Sequence, residues 1–391
     1  MDTASPPAAA PNVDDAAASY VPLCFNPTAN PLFENFNFDL EQPPRFLFRT
    51  FDHKSSGHSD DRVITSPAAK FGLPHHTRDI FTLDSDTAIS IVDKHLNPWL
   101  RKNSTLPASN PHLDDNLMSW TTSLLYAVQY AYYRRSRYGC SLDEIKICVV
   151  DVSMFPPGQF IHSCTLLQAY HGLGRSDGMQ NLYSTRLLVY MYTFGEYLSQ
   201  GHMIHHRYCE TTQKPSSAVI SMAGLQKNGI FTLYPELADP KGHGVWALRT
   251  LQLRELWHRE DNEATSSIDE LRAAANLVTA WFKDSSDPLG LAIYFLSFRK
   301  RTLKEVEIVS DTISEGNQAD WKRHPVDVRE FALAERFVST ALTHKGVEAD
   351  VHIDRRDSVN SDQVQVLSSS TEHDMLRKLL YCYECAEGSR S

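Results

Sequence analysis

Three short stretches of this chain carry polar and charged residue types that could do chemistry. They are Arg49 in "FLFRTF", the hydroxyl run Thr121, Thr122 and Ser123 in "SWTTSLLYAVQYA", and the lone carboxylate Glu196 in "FGEYLSQGHM". Arginine presents a planar fork that holds phosphate oxygens two at a time. Hydroxyls at a strand-to-helix turn can lock a ribose while capping the helix. A carboxylate beside a breaking glycosidic bond stabilises the positive charge that develops on the sugar. Taken singly, each also has a structural explanation. Arginines commonly end strands, "TTS" caps helices, and Glu196 after Gly195 reads as an exposed residue opening a strand, with Arg49 or Arg186 as an ion-pair partner.

Other chemistries lack their spacing. Histidine is abundant, with 17 residues, and "HMIHHRYC" brings His202, His205, His206 and Cys209 close in sequence. Spacing of i, i+3 converges on a helix, but the residues before it read as a strand and no second ligand pair has zinc-like spacing. Surface histidines and a buried cysteine are the expectation there, and no metal site. "CYEC" (Cys382 to Cys385) is a lone CxxC without a partner pair, and Cys148 and Cys164 lie in apolar runs where cysteine packs as a small hydrophobe. "HGLGRSDGMQ" has neither a Walker lysine nor the GxGxxG spacing, and no GxSxG elbow or kinase signature occurs.

The elements that must position these residues follow from patterning. "MDTASPPAAAPNVDDAAAS" has almost nothing to bury, so residues 1–40 are expected to be mostly a disordered tail, with order beginning near "PPRFLFRTF". Helical spacing predicts a helix in "LDSDTAISIVDKHL" capped by Asp84 or Ser85, and another from "SLLYAVQYAYY" capped by Thr122 or Ser123. "EIKICVVDVS" is a continuous apolar run, hence a strand buried on both faces. "STRLLVYMYT" reads as a short helix or strand, followed by a turn at Gly195 and a strand from Tyr197. "SAVISMAGL" reads as a strand and "GVWALRTLQLRELWHRE" as a helix. Beyond residue 261 the patterns are amphipathic and helical, ending with "PVDVREFALAERFVSTALTHKG" and "HDMLRKLLYCYECAEG" around a polar stretch, "RRDSVNSDQVQVLSSS". This divides the chain into a mixed α/β unit at 43–260 and a helical C-terminal segment at 261–391, whose apolar "LAIYFLSF" could face a protein partner.

Bulk properties set limits. The 391 residues are 42% hydrophobic and 22% charged, a globular composition, and the net charge of −10 argues against a broad nucleic-acid surface. No leader pattern opens the chain and no run is long enough to span a bilayer, which predicts an intracellular, reduced protein, cytoplasmic or nuclear. The "NST" sequon at Asn103 is then without meaning.

The order of "FLFRTF", "SWTTSLLYAVQYA" and "GEYLSQGHM" resembles an uncharacterised family of fungal domains, over about residues 43 to 210. More remotely it is similar to the Arg–Ser–Glu arrangement of NAD-dependent ADP-ribosyltransferases. That resemblance implies an α+β fold, with a split mixed sheet, flanking helices and here a helical C-terminal addition. It implies NAD as substrate, Arg49 on the dinucleotide, Thr121, Thr122 and Ser123 at the nicotinamide ribose, and Glu196 as the catalytic carboxylate. Phe194 stands two residues before Glu196, where arginine-directed members carry Glu or Gln, which argues against arginine as the acceptor. Thr121 replaces the first serine, and Thr50 stands where many members have glycine. These departures keep open a second reading, a catalytically inactive copy of the fold acting as a binding or regulatory module.

Overall fold

The computed structural model describes residues 20–33, 43–96, 114–171, 173, 182, 194–239, 246–257, 267–282, 284–285, 288–296 and 298–299. The tail before residue 20, "STRLLVYMYT", the "CYEC" pair, the polar stretch and the last two expected helices lie outside them.

The architecture is α+β. Six strands form the main sheet in the order β6 (Ile161–His162), β7 (Glu196–Gln200), β4 (Leu117–Thr121), β1 (Phe46–Phe51), β5 (Lys146–Asp151) and β9 (Ser217–Ser221). A small sheet joins β2 (His58–Ser59), β3 (Val63–Thr65) and β8 (His202–Ile204). Every neighbouring pair is antiparallel, which corrects the expected mixed sheet. The reason lies in one crossover. The helix after β4 carries the chain to β5 as in a parallel unit, but β1 is inserted between them and runs against both.

The main sheet is nearly two halves. β1 pairs with β5 along its whole length, from Phe46 opposite Asp151 to Phe51 opposite Lys146. β4 pairs with β7 from Leu117 opposite Gln200 to Thr121 opposite Glu196. Between the halves, only Phe48 opposite Thr121 joins β1 to β4.

Helices cover one face of the sheet in two groups. α1 (Ser85–Leu96) and α3 (Ser163–His171) lie over the β6-β7-β4 half. Asp84 caps α1 by accepting from the Thr87 amide at 2.9 Å. α2 (Leu124–Tyr138), α4 (Met222–Lys227), α5 (Trp246–Trp257), α6 (Ile268–Phe282) and α7 (Pro288–Leu296) lie over the β1-β5-β9 half, meeting Phe46, Phe48, Ile147 and Val149. The opposite face carries Leu47, Phe51, Met118, Trp120, Cys148 and Tyr197, closed in part by Ile64 and Met203 of the small sheet. β5 is thus buried on both faces, as its apolar run predicts. Burial of each such side chain contributes about 1.5–3 kcal/mol.

Two expectations change at the ends. Residues 20–33, expected in the tail, pack onto the first helical group: Phe25 and Phe33 are buried there, and Phe33 meets Phe81 and Tyr170 edge-on at 5.2 Å each. Aromatic side chains supply the buried area that the Ala/Pro-rich stretch lacks. "MAGL" leaves the strand to become α4, because Ser221 caps it by accepting from the Gly224 amide. Within "LAIYFLSF", Leu291, Tyr294, Phe295 and Phe298 are buried in the chain's own core.

Candidate functional site

Strand alternation decides which residues share a face. Leu117, Ser119 and Thr121 point to the helical face of β4, whereas Met118 and Trp120 point to the other. Thr121 lies opposite both Phe48 and Glu196, so Thr121 and Glu196 sit where the two helical groups meet. Arg49, Thr121 and Glu196 therefore fall on three adjacent strands, β1, β4 and β7.

Arg49 leaves β1 from the opposite face, across from Cys148. Its Nη1 donates to the main-chain oxygen of Ser119 at 2.6 Å, an acceptor on the stretch of β4 where pairing with β1 has stopped. The residue is half-buried, yet Nε is closed from solvent and makes no hydrogen bond among the described residues. Burial brings its pKa down to about 10, which leaves the guanidinium charged at neutral pH. The expected Arg49–Glu196 ion pair is absent among the described residues; Arg186 lies outside them.

The hydroxyl run is buried and engaged. Thr121 Oγ1 donates to Phe194 O at 2.5 Å and accepts from the Ser123 amide at 3.0 Å. Ser123 is the N-cap of α2, accepting from the Tyr126 amide at 3.1 Å. The Thr122 amide donates to Gly195 O at 3.0 Å, and Gly195 adopts a φ of 59°, which turns the chain into β7 at no steric cost. Glu196 opens that strand, half-buried.

Arg254 of α5 is a site residue that sequence reasoning missed. It is buried, its Nη2 donates to Ser123 Oγ at 3.1 Å, and its guanidinium lies 5.4 Å from the Phe194 ring centroid. No local pattern points to it, because 131 residues separate it from Ser123. Around it stands an aromatic wall: Tyr126 stacks on Phe194 at 4.4 Å, and Trp246 meets Tyr126 edge-on at 5.2 Å and Tyr130 at 5.5 Å. Carboxylate, hydroxyls, guanidinium and half-buried aromatic rings are a set that can hold a charged, ring-bearing ligand.

The histidine run resolves differently from its expectation. His205 is fully buried, with Nδ1 2.8 Å from Ser217 Oγ and 3.6 Å from Cys148 Sγ, and burial brings its pKa down to about 4. Cys209 is the half-exposed one. The Thr211 and Thr212 hydroxyls and amides lower its pKa to about 6. Cys148 and Cys164 are buried, as their apolar settings predict, and burial raises the Cys148 thiol far above its ordinary range. Among the described residues no three His, Cys, Asp or Glu side chains are grouped to hold a metal ion, and no helix is long and apolar enough to cross a membrane.

Residues 42–203 match the family model of a domain of unknown function, DUF7587, a span that contains Arg49, the hydroxyl run and Glu196. No curated protein and no solved structure matches the chain.

Proposed function

We propose that this chain binds NAD in an ADP-ribosyltransferase-like fold and cleaves its nicotinamide–ribose bond, passing ADP-ribose to an acceptor or to water. The observation that carries the reading is the adjacency of β1, β4 and β7, which bear Arg49, Thr121 and Glu196, in a sheet whose two halves join at a single residue pair. In this reading Glu196 stabilises the oxocarbenium character at the ribose, and Ser123 with its helix cap orients the sugar. Arg254, beside Ser123, supplies charge for the pyrophosphate, and Arg49, which leaves β1 from the opposite face, adds to it through the gap where β1 and β4 stop pairing. Phe194, stacked on Tyr126, leaves no second polar group two residues before Glu196, so a guanidinium acceptor is disfavoured.

Two measurements test it. Roughly millimolar NAD should raise the melting temperature by mass action, and Arg49→Ala should remove the shift. Glu196→Gln should abolish NAD turnover while leaving the melting temperature near that of the parent; equal NAD consumption by the two proteins would sink the enzyme claim. One observation favours the second reading, a catalytically inactive binding module. The Thr121 and Ser123 hydroxyls are already engaged by Phe194 O, the α2 cap and Arg254. A thermal shift with NAD but no turnover is the result that reading expects.

A further inference from the structure

On the same face of β4, two residues from Thr121, a second constellation stands apart from the NAD reading. Asp115 accepts from His95 Nδ1, with its two oxygens at 2.9 and 3.0 Å, and His95 Nε2 lies 2.8 Å from Ser119 Oγ. A carboxylate only accepts, so Nδ1 carries a proton; in the neutral ring Nε2 then accepts from the Ser119 hydroxyl. The connectivity is that of a serine nucleophile, its base, and the acid that orients the base.

The acid is more buried than the base and the nucleophile. The Asp115 side chain is 5% exposed, His95 is 10% exposed, and Ser119 is half-buried. The acid is therefore the buried member, and the base and the nucleophile are both half-buried. Asp115 is also fixed from behind, accepting the Leu117 amide at 3.0 Å. The main-chain oxygen of Ser119 is itself engaged, accepting from Arg49 Nη1 at 2.6 Å. Leu117, two residues away on the same face, and Leu198, directly across on β7, make the surroundings apolar.

We propose that Ser119, His95 and Asp115 form an esterase-type acyl-transfer site for carboxylic esters with a short apolar acyl group. Ser119 Oγ attacks the acyl carbon as its proton passes to His95 Nε2, forming the Oγ–C bond. The C–O bond to the alcohol breaks, and His95 returns the proton to the departing oxygen. Water then adds to the acyl carbon, giving one proton to Nε2. The Oγ–C bond breaks, Ser119 recovers that proton, and the free acid leaves. Asp115 acts as a positioning residue for His95.

The test is covalent labelling of the whole chain with a fluorophosphonate, which forms an Oγ–P bond, expels fluoride and passes the hydroxyl proton to His95. The adduct should map to Ser119 and be absent in Ser119→Ala. It should form more slowly in His95→Gln and Asp115→Asn, by on the order of 10² to 10⁴-fold. A chain that melts cooperatively yet gains no adduct at Ser119, or labels equally fast in His95→Gln, overturns the proposal. Should the histidine variant fail to fold, Ser119→Cys decides. Beside His95 its alkylation by iodoacetamide should stay fast well below pH 7, whereas a midpoint near the ordinary thiol value of about 8.5 overturns it.

Discussion

His205 shows how one buried side chain links sequence position to pH dependence. Strand alternation turns it inward: Met203, two residues earlier, is fully buried, while Ile204 between them is half-buried and His202 before them is exposed. The sequence therefore held a signal, period two across "HMIHH", which the polarity of three histidines obscures. Burial lowers its pKa from 6.5 to about 4 in the folded state. Above pH 6.5 both folded and unfolded chains are neutral at this position and its contribution is intact. As pH falls from there toward 4, the unfolded chain takes a proton that the folded chain refuses, and roughly 3 kcal/mol is lost. Denaturant midpoints at pH 7.5 and 4.5 should differ less in His205→Asn than in the parent; an unchanged difference would show that carboxylates alone govern the acid limb. Cys209 gives the complementary case. Half-exposed and with its pKa lowered to about 6, it is expected to react with iodoacetamide at neutral pH before Cys24, Cys140, Cys148 and Cys164, and peptide mapping orders them.

Elements were legible where one local rule dominated. The apolar run of β5, the Asp84 cap of α1 and the Ser123 cap of α2 each follow from neighbouring residues, and each stands as expected. What could not be read was how elements meet. The break between β1 and β4 depends on where two distant strands stop pairing. The His95–Asp115–Ser119 chain joins the end of α1 to β4, which have no common periodicity. A further contact of this kind fixes the end of β1 to α2. Arg134 Nε and Nη2 bond the two oxygens of Asp52 at 2.5 and 2.6 Å, with the carboxylate fully buried. Burial opposes both charges, but the paired hydrogen bonds outweigh it, holding Asp52 below and Arg134 above their ordinary ranges. Asp52→Ala should cost about 3–5 kcal/mol because it strands a buried guanidinium. Asp52→Leu combined with Arg134→Met should recover most of that loss. A double mutant no more stable than Asp52→Ala would show that the pair contributes more than its own charges require.

At the scale of the whole molecule, the helices on either side of residue 261 share one core. Composition changes there, and the sequence sets off a helical C-terminal segment, yet periodicity reports only that a helix has an apolar face and not what covers it. α6 and α7 supply Leu277, Trp281, Leu291 and Phe295 to the cluster that also holds Phe46, Phe48 and Val149 of the sheet. Trp281 is the clearest bond between the two parts. It is 5% exposed, its ring centroid lies 6.1 Å from that of Phe48, and its Nε1 donates to Ala218 O at 3.2 Å. Phe48 is also the β1 residue paired with Thr121, so the helices beyond 261 brace the one pair that joins the two halves of the sheet. Trp281→Ala removes that brace and should cost about 3–5 kcal/mol. A chain ended at residue 260 removes it together with the rest of the cover and should lose cooperative melting. Fluorescence and calorimetric melts of the two proteins separate the possibilities. If the shortened chain still melts cooperatively near the parent temperature, the sheet is stable without α6 and α7. If instead it fails to melt cooperatively while Trp281→Ala melts cooperatively at a lower temperature, the helical segment is part of the fold that holds Arg49, Thr121 and Glu196 in place.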